Sequence, residues 1–121
     1  MKHSLEVYSG DSLIFYSDSH WIYPLFEFEQ FLQANDYDPA QLQVKDKIIG
    51  RAAALILIYL GIRHIKADLM SQLGKAVLDQ FGIQNEHNHL VERIECATEE
   101  LLKDQFDPVQ AYDILRKRAK I

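Results

Sequence analysis

The sequence predicts an α/β domain of three layers, α-β-α, around a mixed sheet. Three observations predict it. Ser4 to Tyr8 and Ser12 to Tyr16 are strand-like runs joined by Ser9-Gly10-Asp11, a turn suited to an antiparallel hairpin. Leu42 to Lys66 reads as strand, helix, glycine stop and strand, a βαβ unit whose two strands run parallel. Ala52 to Leu60 is apolar without a break, so the helix it forms must be covered on every side. A hairpin followed by βαβ units combines antiparallel and parallel pairs in one sheet, with helices on both faces.

The elements follow in the order β-β-α-β-α-β-α-β-α-α. In the second strand Leu13, Ile14 and Phe15 are consecutive apolar residues, the mark of a strand covered on both faces. Pro24 fits the first turn of a helix. Leu25, Phe28, Phe31 and Leu32 then form its buried stripe, and residues 35–39, NDYDP, end it. Leu42 and Val44 alternate with polar neighbours, which is the period of a half-buried strand. Asp46 stands as the expected N-cap of the central helix, Asp46 to Leu60, and Gly61 as its stop. Nine apolar residues are far short of the roughly 20 that cross a bilayer, so this is a core helix.

A strand over Ile62 to Asp68 comes next. Ser71 is the N-cap of a third helix with the stripe Leu73, Ala76, Val77 and Phe81, ended at Gly82. Ile83 to His87 is short and polar, which suits an edge strand. From Val91 to Leu102, apolar residues recur at helical spacing. Asp107 and Pro108 begin a last helix whose basic end, Arg116 to Lys120, complements its dipole.

A chain of 121 residues, 48% hydrophobic and 26% charged, is the size and composition of one globular domain, residues 1–121. A net charge of −5 argues against general nucleic-acid binding and against an anionic membrane surface. The single cysteine, Cys96, excludes an internal disulfide. Met1 to Gly10 lacks the apolar core of a signal peptide, so a cytoplasmic location is expected.

The tip of the central helix carries the main candidate site: Asp46, Lys47, Gly50 and Arg51. Lys47 and Arg51 share one helical face in a first turn where the macrodipole already favours anions. Gly50 weakens the helix yet admits a close neighbour. Two readings fit. A small anionic or phosphorylated ligand completes the tip, or Asp46 or a carboxylate from a neighbouring loop supplies the charge. Cys96 and Glu99 open a later helix and are the weaker candidates for catalysis, as nucleophile and acid/base. The opposing reading is a buried, inert thiol and a first-turn carboxylate. His87, His89 and Cys96 form no full zinc ligand set, and no metal or cofactor is expected. Tyr16, Trp21, Ile22 and Tyr23 crowd the approach to the first helix. They fill the core or make a homodimer interface.

The motif V-x-D-K-x-x-G-x-A-A-A, here Val44, Asp46, Lys47, Gly50, Ala52, Ala53 and Ala54, resembles that of a small uncharacterised prokaryotic family, a domain of unknown function in the cytidine deaminase-like superfamily. The likeness extends to the N-terminal hairpin, to Ala67–Ser71 and to Phe81–Ile83. That family also carries a Cys-Pro-x-Glu segment at the start of a late helix. Cys96, Ala97, Thr98 and Glu99 stand there, with alanine in place of proline and a shortened preceding loop, Glu92 to Glu95. The resemblance implies the deaminase-like fold and supplies no function. Zinc deamination needs a His or Cys ligand with a nearby Glu and a Cys-x-x-Cys pair, and one cysteine cannot provide them.

Three functions follow as expectations. The first is a small-ligand binding domain holding an anion at the helix tip. The second is a non-zinc enzyme acting on such a ligand through Cys96 or Glu99. The third is a dimerising module without a ligand.

Overall fold

The computed structural model describes residues 1–121. Five strands and five helices alternate as the pattern predicts. The strands are β1 (Leu5–Ser9), β2 (Ser12–Ser17), β3 (Gln43–Ile49), β4 (His64–Ser71) and β5 (Gln84–Val91). The helices are α1 (Tyr23–Ala34), α2 (Arg51–Tyr59), α3 (Gln72–Gln80), α4 (Ala97–Leu101) and α5 (Pro108–Ala119), with a short 3-10 turn at Pro39–Gln41. The sheet order is β2-β1-β3-β4-β5. β1 is antiparallel to both its neighbours, whereas β3, β4 and β5 are parallel.

Helices cover one face of this sheet, and the other carries a row of mostly charged side chains, of which Glu6 is buried and Lys45 and Lys66 half-buried. Phe15, Val7, Val44, Ile65 and Asn85 stand side by side across the five strands. Phe15 meets Phe28 and Phe31 of α1 on that face, and Asn85 bonds Lys75 and Asp79 of α3. α2 lies between α1 and α3. The opposite face carries the row Tyr16, Glu6, Lys45, Lys66 and Glu86 and no helix. The expected α-β-α arrangement is therefore corrected. Each crossover from β2 to β5 advances in one direction along the sheet, so right-handed connections put α1, α2 and α3 on one side. The outer helical layer is α5, which stacks Tyr112 on Tyr59 of α2 at 4.0 Å between ring centres.

This explains why α2 is apolar all round. It has the sheet below it, α1 and α3 beside it and α5 above it, and Arg51 to Leu57 are all buried. Gly61, at φ +87°, ends it as expected. Ser71 caps α3 by accepting the Gly74 N–H at 3.0 Å, and Asp107 caps α5.

Three boundaries differ from expectation. β3 continues to Ile49, so Asp46 and Lys47 lie in a strand, and Gly50 is the N-cap of α2. β5 continues to Val91 because it pairs with β4 along its length, although it is the polar edge strand that was expected. The helix expected from Val91 starts only at Ala97. No helix is long and apolar enough to cross a membrane.

Candidate functional site

β2 runs with β3, β4 and β5, so four strands end on one side of the molecule. A half-open cavity of about 630 Å³ lies there. Asp46, Ile48 and Leu69 form its sheet wall, and Gly50, Ala52 and Ala53 present the start of α2. Trp21, Ile22 and Pro24 close it from the β2–α1 connection, and Ile94, Cys96 and Thr98 from the opposite side. Its size and its place at the carboxyl ends of parallel strands are those of small-molecule sites in α/β proteins.

Asp46 is half-buried on the helix-covered face, between Leu5 of β1 and Ala67 of β4. Its Oδ1 accepts the Ile48 N–H at 3.3 Å, and no side chain is bonded to it. Burial pushes its carboxyl up to about 7, against the backbone N–H groups of Ile48 and Lys47, which favour the charged form. It therefore changes charge near neutral pH inside a cavity. Lys47, one residue on, alternates to the other face and is exposed.

The start of α2 is held by Glu99. Gly50 has no side chain to cap the helix, and the buried Glu99 carboxylate does so from α4. Its Oε1 accepts the Arg51 N–H at 2.6 Å and the Ser71 hydroxyl at 3.1 Å. Its Oε2 accepts the Ile94 N–H at 2.7 Å. Both oxygens are thus occupied by the protein. Gly50 also allows close packing: a Cβ there would collide with Ile94 Cδ1 and stand 3.0 Å from Glu99 Oε1.

Arg51 is 1% exposed, and its guanidinium bonds backbone carbonyls of residues that do not line the cavity, with Nη2 buried and unpartnered. Nε donates to Gln105 O at 2.9 Å and Nη1 to Leu73 O at 2.8 Å, and the group lies 4.3 Å from the centre of the Phe106 ring. Burial lowers its pKa, while the charges of Asp104 and Glu99 act the other way. Arg51 ties α2 to α3 and to the α4–α5 connection. All four residues of the expected quartet, Asp46, Lys47, Gly50 and Arg51, line the cavity, with the Arg51 guanidinium bonded to Gln105 O and Leu73 O.

Cys96 stands at the N-cap position of α4, its Sγ 2.9 Å from Thr98 Oγ1. His87 faces inward beside Ala67, His89 is exposed, and no three His, Cys, Asp or Glu side chains converge as metal ligands would. Ile22 is buried in the core, whereas Tyr16, Trp21 and Tyr23 are exposed. Trp21 has φ +59°, a strained conformation for a bulky residue. Its indole N–H reaches toward Thr98 Oγ1 at 3.5 Å, so the two sides of the cavity mouth meet. Trp21 and Thr98 gave no sequence signal as a pair, because 77 residues separate them.

A family model described as "Domain of unknown function (DUF1893)" matches residues 2–118. The crystal structure of a DUF1893 family protein from Thermotoga maritima shares the fold, with a TM-score of 0.84 and 24% identity, over 95% of this chain and 80% of that one. No curated protein matches the chain. With the family pattern running through both walls of the cavity, from the hairpin to the last helix, the chain belongs to the DUF1893 family.

Proposed function

We propose that this domain binds a small molecule in the cavity at the strand ends, with Asp46 as its principal polar contact. The observation that carries the reading is an unpaired carboxyl on the wall of a cavity of about 630 Å³, beside the apolar side chains of Ile22, Pro24, Ile48 and Leu69. A cavity of this size that combines apolar side chains with placed polar groups is the usual form of a small-molecule site. A carboxyl titrating near 7 is also the kind of group that serves as general acid or base. The reading extends to a non-zinc enzyme in which Asp46, rather than Cys96 or Glu99, moves the proton. Glu99 is committed to three hydrogen bonds within the protein.

Kinship to the cytidine deaminase-like superfamily, without its zinc chemistry, belongs to the same proposal. It is supported by the motif from Val44 to Ala54 and by a site at the strand ends. A second reading places an anion at the start of α2. The backbone N–H groups of Ala52 and Ala53 precede the first intrahelical acceptors and border the cavity, which favours it.

The test uses Trp21, the only tryptophan of the chain, as reporter. A fragment library is screened by the NMR signal of its indole N–H. Hits that shift this signal and bind more weakly to Asp46→Asn are expected. A library without any hit at this signal overturns the reading.

A further inference from the structure

The charges around the cavity bear on the class of ligand, given the binding reading above. Consider first the positive groups. The Arg51 guanidinium bonds Gln105 O through Nε and Leu73 O through Nη1, neither acceptor lining the cavity, and its Nη2 is buried without a partner. Arg93 is paired with Glu100 at 2.6 Å. Lys47 borders the cavity, but as an exposed side chain that strand alternation turns toward the other face, where water and salt screen its charge. His20 is exposed at the rim.

The negative groups differ. Glu99 is saturated by its three bonds, and it meets the positive end of α2. Asp18 is engaged by His3 at 2.9 Å. Glu95 is exposed at the mouth. That leaves Asp46, which no side chain contacts, facing the cavity from the sheet. β1 and β4 place only Leu5 and Ala67 beside it, and α2 places Ala52 and Ala53 near it. A carboxyl held this way lacks a donor, and a cation supplies one. Trp21, held at the mouth in a strained conformation, adds an aromatic face, which also favours cations.

We propose that the ligand is a small organic cation, an ammonium or amidinium group seated on Asp46, with an apolar body against Ile22, Pro24 and Leu69. The sequence points instead to an anion held by Lys47 and Arg51; of these two, the Arg51 guanidinium is bonded to Gln105 O and Leu73 O, and Lys47 is exposed at the border of the cavity.

A matched set of fragments tests it: benzylamine, benzyl alcohol and benzoate, and the corresponding cyclohexylmethylamine, cyclohexylmethanol and cyclohexanecarboxylate. Each is titrated into the full chain while the Trp21 indole N–H signal is followed. The two amines are expected to bind, and the two carboxylates not to. Amine affinity should rise roughly tenfold from about pH 6 to about pH 8, because the ionised fraction of Asp46 rises by about that factor. It should fall at least as far in Asp46→Asn, whose fold is checked by its melting temperature. Alcohols or carboxylates binding as tightly as the amines would overturn the cation and leave the cavity reading in place. So would amine binding that Asp46→Asn leaves unchanged. No response to any member would overturn both.

Discussion

Glu99 Oε1 lies 2.6 Å from the backbone nitrogen of Arg51, 48 residues away in the chain. One carboxylate thereby caps the central helix, holds the Ser71 hydroxyl and fixes the Ile94 N–H. Charge-assisted bonds of this kind are stronger than neutral ones. Glu99→Ala leaves three buried or half-buried donors without an acceptor. A loss of about 3 kcal/mol or more is expected, read as a lower urea midpoint at unchanged slope. Glu99→Gln keeps one acceptor oxygen and should lose about half as much. A Glu99→Ala midpoint equal to that of wild type would contradict the capping role.

Asp46 should act on stability in the opposite sense from a paired carboxylate. Its ordinary value is 3.8 and the folded protein raises it to about 7. Between these values the folded state holds a proton that the unfolded state has released. Stability therefore falls as pH rises from about 4 to about 7 and is level above that, by this group alone. Asp46→Asn removes the buried charge. It should be more stable than wild type at about pH 8, by roughly 1–3 kcal/mol after allowance for its partial exposure. The difference should vanish near pH 4. Denaturation curves at the two pH values check this, and a less stable Asn variant at about pH 8 would contradict it.

Gly50 and Gly74 should respond unequally to alanine. A Cβ on Gly74 would meet the Gly50 carbonyl carbon and oxygen at 2.9 Å, both backbone atoms. A Cβ on Gly50 would meet mainly the end of the Ile94 side chain, which can turn aside. Gly74→Ala should cost roughly 1–3 kcal/mol despite the better helix propensity of alanine. Gly50→Ala should cost less. Thermal melts of the two variants decide the order.

Arg51 and Lys47 carry the same charge and should behave differently. Arg51 spans two carbonyl acceptors on separate elements, which a lysine cannot do from one ammonium position. Arg51→Lys should lose roughly 2–3 kcal/mol. Lys47→Ala, on the exposed face, should stay within about 0.5 kcal/mol. Equal midpoints for the two variants would show that Arg51 does not clamp the fold.

The order of elements was legible in the sequence because each rests on local chemistry. Ser71 and Asp107 cap helices, Gly61 ends one, and Val44 and Ile65 keep the strand period. The start of α2 was not legible. Asp46 followed by Lys47 has the local look of a capped helix, and the true cap comes from Glu99 through tertiary contact. The same distance hid the fate of Arg51, whose acceptors belong to Leu73 and Gln105. The helix-free face, by contrast, could have been read. Glu6, Lys45, Lys66 and Glu86 alternate with apolar or small residues on most strands, which is the pattern of a sheet covered on one side. Of the residues lining the candidate site, the motif region pointed to Asp46, Lys47, Gly50 and Arg51. Trp21, Leu69 and Thr98 came together only through folding.

The one-sided sheet gives the molecule a front and a back. The cavity opens at the strand ends on the helical side, while Lys45 and Lys66 stand on the back among Glu6, Tyr16 and Glu86. A surface, label or second protein held against that back covers neither Trp21 nor Asp46. The domain can thus be anchored and occupied at the same time, and tethering it through the back for a binding measurement leaves the cavity open to solution.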